Sequence, residues 1–341
     1  AAWGAHLPGR AAATRVIAGT VNEFPFFSLT WGDLHAHVLS LPLLVACVAF
    51  ALRLDELSRA GRHVAVVAVA VLAALTGTAA VMTSSWDLAP VAMGVAWMAP
   101  ALRSLPRRVV AVSALLAVGA ATLFAWPVLT AFRPPPVAVG WEWHGSPPGA
   151  FLLVQGTWLL PAGLLCVMRG SRVVTAAAGL GLACLAFLVP GMAVRALLLA
   201  LAAGVWARRD ALGRASTALL LSALCLLIAA ECLWVDDVYG WEYRRLNVVF
   251  KWHLHAIVLT TLALPGVVHA LWTTGGARAR ATARAALVGL AVVSMLSTLV
   301  VLAARYRERE PVMTLNGLAG MARHHPGDAA AVRYLWAHAA P

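Results

Sequence analysis

Apolar runs recur along almost the whole chain, broken only by short polar joints, and most are long enough to cross a hydrocarbon core of about 30 Å. We place spans at about 38–52, 64–82, 88–102, 109–126, 150–168, 173–189, 192–207, 215–233, 249–272 and 285–304. Lipid offers the backbone no hydrogen-bond partner, so spans of this kind are helices. The pattern predicts an all-α fold, a polytopic transmembrane helix bundle of about ten spans. The 88–102 span and the hairpin at Pro190-Gly191 are short enough to be re-entrant or tilted. Three regions follow: a polar, motif-bearing segment at 1–37, a transmembrane helical domain at 38–304, and the start of a soluble segment at 305–341.

The joints alternate in character. Arg53, Arg59 and Arg62, then Arg103, Arg107 and Arg108, then Arg169 and Arg172, then Arg208, Arg209 and Arg214, then Arg278, Arg280 and Arg284 mark every second turn. By the positive-inside rule these turns are cytoplasmic. The other joints hold Glu23 and Asp33, Ser85-Trp86-Asp87, Trp141-Glu142-Trp143-His144 and the run 231–251, so they are expected on the extracytoplasmic face of a cell membrane. Many tryptophans, among them Trp31, Trp86, Trp126, Trp141, Trp143, Trp234, Trp241 and Trp252, gather near those span ends, as an interfacial belt would.

Composition agrees with a membrane solvent. Hydrophobic residues make up 62% and charged residues 12% of the 341, and mean hydropathy is +0.82. The net charge of +12 comes almost wholly from arginines in the joints, with Lys251 the only lysine, which excludes a nucleic-acid-binding stripe. Cys47, Cys166, Cys184, Cys225 and Cys232 show no metal-ligand spacing and read as small apolar residues.

Two constellations could carry chemistry. The first is Asn22-Glu23-Phe24-Pro25-Phe26-Phe27 followed by Gly32-Asp33-Leu34-His35-Ala36-His37. A carboxylate at a water-filled membrane cavity can act as a general base, and a divalent cation, if one is used, is expected at Asp33, His35 and His37. The imidazoles share a side if the chain is extended and diverge on a helix. Helix capping and loop hydrogen bonds are the plain alternative. The second is Glu231, Asp236, Asp237, Glu242, Arg244, Arg245, Asn247, Lys251, His253 and His255. Charges at membrane depth pair or line a cavity, so these residues either bridge one another, as Arg244 with Asp237, or bind phosphate. If 247–255 is helical, Asn247, Lys251 and His255 share one face. Between these constellations, Ser85-Trp86-Asp87 opens a span, where Asp87 is placed to cap the helix. The Pro-rich joint 133–149 could lie across a cavity mouth.

Several of these strings together bear a family resemblance. Thr20-Val21-Asn22-Glu23-Phe24-Pro25-Phe26-Phe27-Ser28, Gly32-Asp33-Leu34-His35-Ala36-His37-Val38-Leu39, Thr83-Ser84-Ser85-Trp86-Asp87-Leu88, Phe151-Leu152-Leu153-Val154-Gln155-Gly156, Arg245-Leu246-Asn247-Val248-Val249-Phe250-Lys251 and Thr314-Leu315-Asn316-Gly317-Leu318 stand in order along the chain. This set resembles the YYY-domain family of multi-spanning membrane proteins, whose architecture is similar to the GT-C class of membrane glycosyltransferases. The resemblance implies a truncation at both ends, with an N-terminal portion and a C-terminal soluble segment lying beyond the chain. Leu246 and Val248 stand where the family has Met and Thr.

The resemblance implies transfer of a sugar from a polyprenyl-phosphate-linked donor to an extracytoplasmic acceptor. Asp33 is the expected base or metal carboxylate, with Glu23 as substitute. Arg244, Arg245 and Lys251 would hold the donor phosphate, while Asn22, His35, His37, Trp86, Asp87 and Asn247 shape the site. A transporter or flippase of a lipid-linked substrate, and a non-catalytic assembly partner in the membrane, are the alternative readings. One-sided clustering of the polar motifs argues against the first, because alternating access needs polar residues near midplane.

Overall fold

The computed structural model describes residues 16–22, 35–131, 138–169, 191–236, 241–273, 276–307, 322 and 326–338. Its helices are α1 (Ala36–Arg59), α2 (His63–Thr83), α3 (Leu88–Leu102), α4 (Arg107–Ala131), α5 (Pro148–Arg169), α6 (Met192–Ala207), α7 (Arg209–Cys232), α8 (Leu246–Thr273), α9 (Ala277–Arg307) and α10 (Pro326–His338). Nine of the ten expected spans coincide with described helices, and the tenth, 173–189, lies outside the described residues. Among the described residues, six helices are long and apolar enough to cross a membrane: Ala36–Arg59, His63–Thr83, Arg107–Ala131, Pro148–Cys166, Arg209–Cys232 and Leu246–Thr273. Helices α3 and α6 are apolar but shorter.

Helices α7 and α8 pack along one another at the centre, and their apolar windows are 61% and 56% buried, against 17% for α2 and α4. The outer helices expose Leu115, Val118, Leu123 and Leu153, the surface that lipid rather than water would cover. Around the central pair, Phe151 and Leu165 of α5, Leu198 and Val205 of α6, and Leu259 and Val267 of α8 form the main core. A second cluster, Leu54, Leu57, Val66, Leu105 and Val109, ties α1, α2 and α4 together at the arginine-bearing end. There Asp55 of α1 pairs with Arg59 and lies 3.8 Å from Arg214 of α7.

One element departs from the all-helical expectation. Strand β1 (Ala138–Trp141), in the joint expected to be a Pro-rich connection, pairs antiparallel with β2 (Leu233–Asp236), with Val139 opposite Val235 and Gly140 opposite Trp234. The remainder of that joint before the strand, 132–137, lies outside the described residues. The chain forms two compact units that divide within α9, 1–290 and 291–341; the second holds the end of α9 and α10.

Candidate functional site

Helix direction brings the polar joints to one end of the bundle. The start of α1, the α2–α3 joint, the start of α5 and α6, and the α7–α8 joint all meet there. His37 of α1 is buried with its ring edge-on to Phe250 of α8, centroids 4.6 Å apart, while His35 stands exposed just before the helix. The two rings are 5.6 Å apart and tilted against one another, because His35 precedes the helix with an extended ψ of 144° and does not follow helical spacing. Asn22 is fully buried, and its Oδ1 accepts the Ile17 amide at 2.9 Å, a local turn that seats Ile17 against Val154 of α5 and Val249 of α8. Glu23 and Asp33 lie outside the described residues. Among the described residues, no group of three or more His, Cys, Asp or Glu could hold a metal ion.

The Ser85-Trp86-Asp87 turn joins α8. Asp87 does not cap α3: its Oδ1 meets Nε2 of His255, and both side chains are fully buried. Its Oδ2, also buried, has no hydrogen-bond partner among the described residues. His255 Nδ1 lies 2.7 Å from the carbonyl of Lys251, one turn earlier in α8. A carbonyl only accepts, so Nδ1 carries a proton. Trp86 receives the Lys251 ammonium over its ring at 5.1 Å and the edge of Trp252 at 5.8 Å. Two neighbouring residues of the turn thus grip two α8 side chains that share a face at i and i+4. Asn247 is buried one turn further out on that face.

Around the sheet lies a buried ionic network. Glu231, at the end of α7, accepts from the Ser146 amide and hydroxyl, each at 2.6 Å, and from Arg245 at 3.3 Å. Arg244 pairs with Glu142 at 3.3 Å and lies over Trp241 at 4.4 Å. Asp237, the expected partner of Arg244, lies outside the described residues. Arg195 of α6, almost fully buried, donates to the backbone carbonyls of Glu231, Glu142 and Trp143. The outer joint is therefore fastened to the ends of three helices. Burial raises the pKa of Glu142, yet the His144 amide and the charges of Arg245 and Arg244 outweigh it and hold the carboxyl below its ordinary value.

Sequence reasoning missed Arg195, Ser146 and the role of Glu142. A signal existed for Arg195, a lone cation inside the apolar run 192–207, because an ionisable residue in a span needs a partner. His253 is buried against Phe151, and neither ring nitrogen has a hydrogen-bond partner among the described residues.

A bundle of apolar helices, with its polar motifs drawn to one end, defines a multi-pass α-helical membrane protein that lies in contact with lipid. Residues 7–260 match the model of a family described as uncharacterized membrane proteins, DUF2298, and the chain belongs to that family. No curated protein and no solved structure matches it.

Proposed function

We propose that the chain is the membrane core of a GT-C-like glycosyltransferase, moving a sugar from a polyprenyl-phosphate-linked donor to an acceptor on the extracytoplasmic side of the cell membrane. The observation that carries this reading is the cationic opening of α8. Arg244, Arg245 and Lys251 sit within two turns, beside the Ser85-Trp86-Asp87 turn and the start of α1. The Nε groups of Arg244 and Arg245 are buried donors without a hydrogen-bond partner among the described residues. Their terminal nitrogens are held by Glu142 and Glu231, which fixes the guanidinium planes. Fixed guanidinium donors next to an ammonium suit phosphate oxygens. The order of motifs shared with the YYY-domain family supports the same reading, and the one-sided polar end suits a transferase better than a transport path.

Within this proposal Asp33, with Glu23 as substitute, is the carboxylate for a base or divalent cation, and His35, His37, Asn22 and Asn247 shape the approach. Thermal stabilisation of the purified full-length protein by polyprenyl phosphate tests the phosphate site. A ligand that binds only the folded state adds about 2.7 kcal/mol at 100 times its Kd. Wild type should gain this stabilisation, and Lys251→Ala and Arg244→Ala should lose most of it. A folded wild type that gains none would refute the donor site and favour the assembly-partner reading.

A further inference from the structure

Helix α4 faces lipid along its length. It has 25 residues, about 37 Å at 1.5 Å per residue, against a hydrocarbon core of ~30 Å. Only 17% of its apolar window is buried, and Val112, Leu115, Leu116 and Val118 stand exposed in its first half. A helix that outruns the core carries its excess length among the headgroups. The charged end of α4 is its first turn, Arg107-Arg108, with Arg103 shortly before it, and all three are exposed.

The turn that bears them is fixed from beneath. Leu105 and Val109 are buried in one cluster with Leu54 and Leu57 of α1 and Val66 of α2. The Pro106 carbonyl accepts the amides of Val109 and Val110 at 2.9 and 3.2 Å. Arg62, also exposed, immediately precedes α2, one turn before Val66, so a fourth guanidinium flanks the same cluster.

Charge balance leaves these arginines to an outside anion. The carboxylates of the arginine-bearing joints are Asp55, Glu56 and Asp210. Asp55 is held by Arg59 and Arg214, and Glu56 by Arg53. Among the described residues, no ion pair joins a carboxylate to Arg62, Arg103, Arg107 or Arg108. Guanidinium forks take two oxygens of one phosphate, and basic segments beside a span are drawn to anionic lipid headgroups. Exposed arginines that run straight into an exposed apolar helix face match a molecule with both an anionic phosphate and hydrocarbon chains.

We infer that the turn 103–108 is a binding site for an anionic phospholipid. Arg103, Arg107 and Arg108 hold its phosphate, Arg62 lies alongside, and its chains lie on the exposed face of α4. The site is at the arginine-bearing end of the bundle, away from the proposed donor site, and does not depend on sugar transfer.

The test is lipid retention by the purified full-length protein in native mass spectrometry, with phosphatidylglycerol, phosphatidylcholine and soluble glycerol phosphate as probes. Wild type should hold phosphatidylglycerol at least ~10-fold more tightly than phosphatidylcholine. The combined Arg103→Gln, Arg107→Gln and Arg108→Gln variant should bring the two lipids within about 3-fold, and lysines at the same positions should keep part of the preference. Lys251→Ala should leave the preference unchanged; its loss there would assign the lipid to the donor site and overturn the inference. Equal affinity of wild type for the two lipids overturns it, as does full competition by glycerol phosphate. So does a preference that Arg278→Gln with Arg280→Gln lowers as far as the α4 variant does, because that is attraction to net charge alone. Should the glutamine variant fail to fold, wild type is cross-linked to phosphatidylglycerol with a photoreactive headgroup. Label within 103–108 supports the site, and label confined to other joints overturns it.

Discussion

Arg195 shows how much one side chain can hold at membrane depth. Its guanidinium serves three backbone carbonyls from two segments, those of Glu231, Glu142 and Trp143. Removing one member of a buried ionic network leaves unpaired polar groups behind and costs about 3–5 kcal/mol. Arg195→Ala should therefore lower stability by that amount in chemical unfolding of detergent-solubilised protein, and Arg195→Lys, a point charge without the fork, should recover only part. Glu142 adds a pH signature. Its folded pKa lies below the ordinary 4.5, so its stabilisation is complete above that value and is lost as pH falls through the folded value. Thermal midpoints of wild type and Glu142→Gln, compared from neutral to acidic pH, should differ most near neutrality and converge in acid.

At the scale of elements, two glycines in the left-handed region face one another, Gly145 at φ 62° in the joint between β1 and α5 and Gly191 at φ 83° just before α6. A Cβ on Gly191 would fall 2.0 Å from the His144 carbonyl oxygen, and one on Gly145 would meet the Gly191 carbonyl oxygen at 2.8 Å. Backbone therefore packs on backbone beside Glu231, and only glycine satisfies both the space and the dihedral. Gly191→Ala should destabilise by more than about 1 kcal/mol, read as an earlier unfolding midpoint, with a loss of polyprenyl phosphate stabilisation as Arg244 and Arg245 shift. The short helix α3 makes a second prediction. At about 22 Å this helix is shorter than the ~30 Å hydrocarbon core and is expected to begin below its surface, so a spin label at Ser85→Cys should sit deeper, by collision with oxygen against a water-soluble relaxer, than one at Trp143→Cys, and equal depth would contradict that placement.

For the whole molecule, the alternation of arginine joints and motif joints sets a sidedness that is directly measurable. With Cys47, Cys166, Cys184, Cys225 and Cys232 replaced by alanine, cysteines at Arg103 and Arg214 should react with an impermeant thiol reagent from the cytoplasmic side. One at Trp143 should react from the opposite side. Labelling of all three from one side would overturn the assigned topology and the extracytoplasmic site with it.

The sequence by itself determined where the described helices run and which of their joints share an end. Both follow from local quantities: the length of an apolar run against bilayer thickness, and the placing of arginines at every second turn. It also marked Lys251, His255, Trp86 and Asp87 as polar residues in apolar surroundings. Which of them meet was decided by tertiary structure alone. Asp87 and His255 are 168 positions apart, and Ser146 and Glu231 are 85 apart. Such pairs depend on which helices become neighbours and how far each sinks, and no periodicity records that. The β1–β2 sheet was hidden for the same reason, because four-residue strands become visible only when their partner is known. A buried charge announces that it needs a partner, and the packing of α3, α7 and α8 names which one.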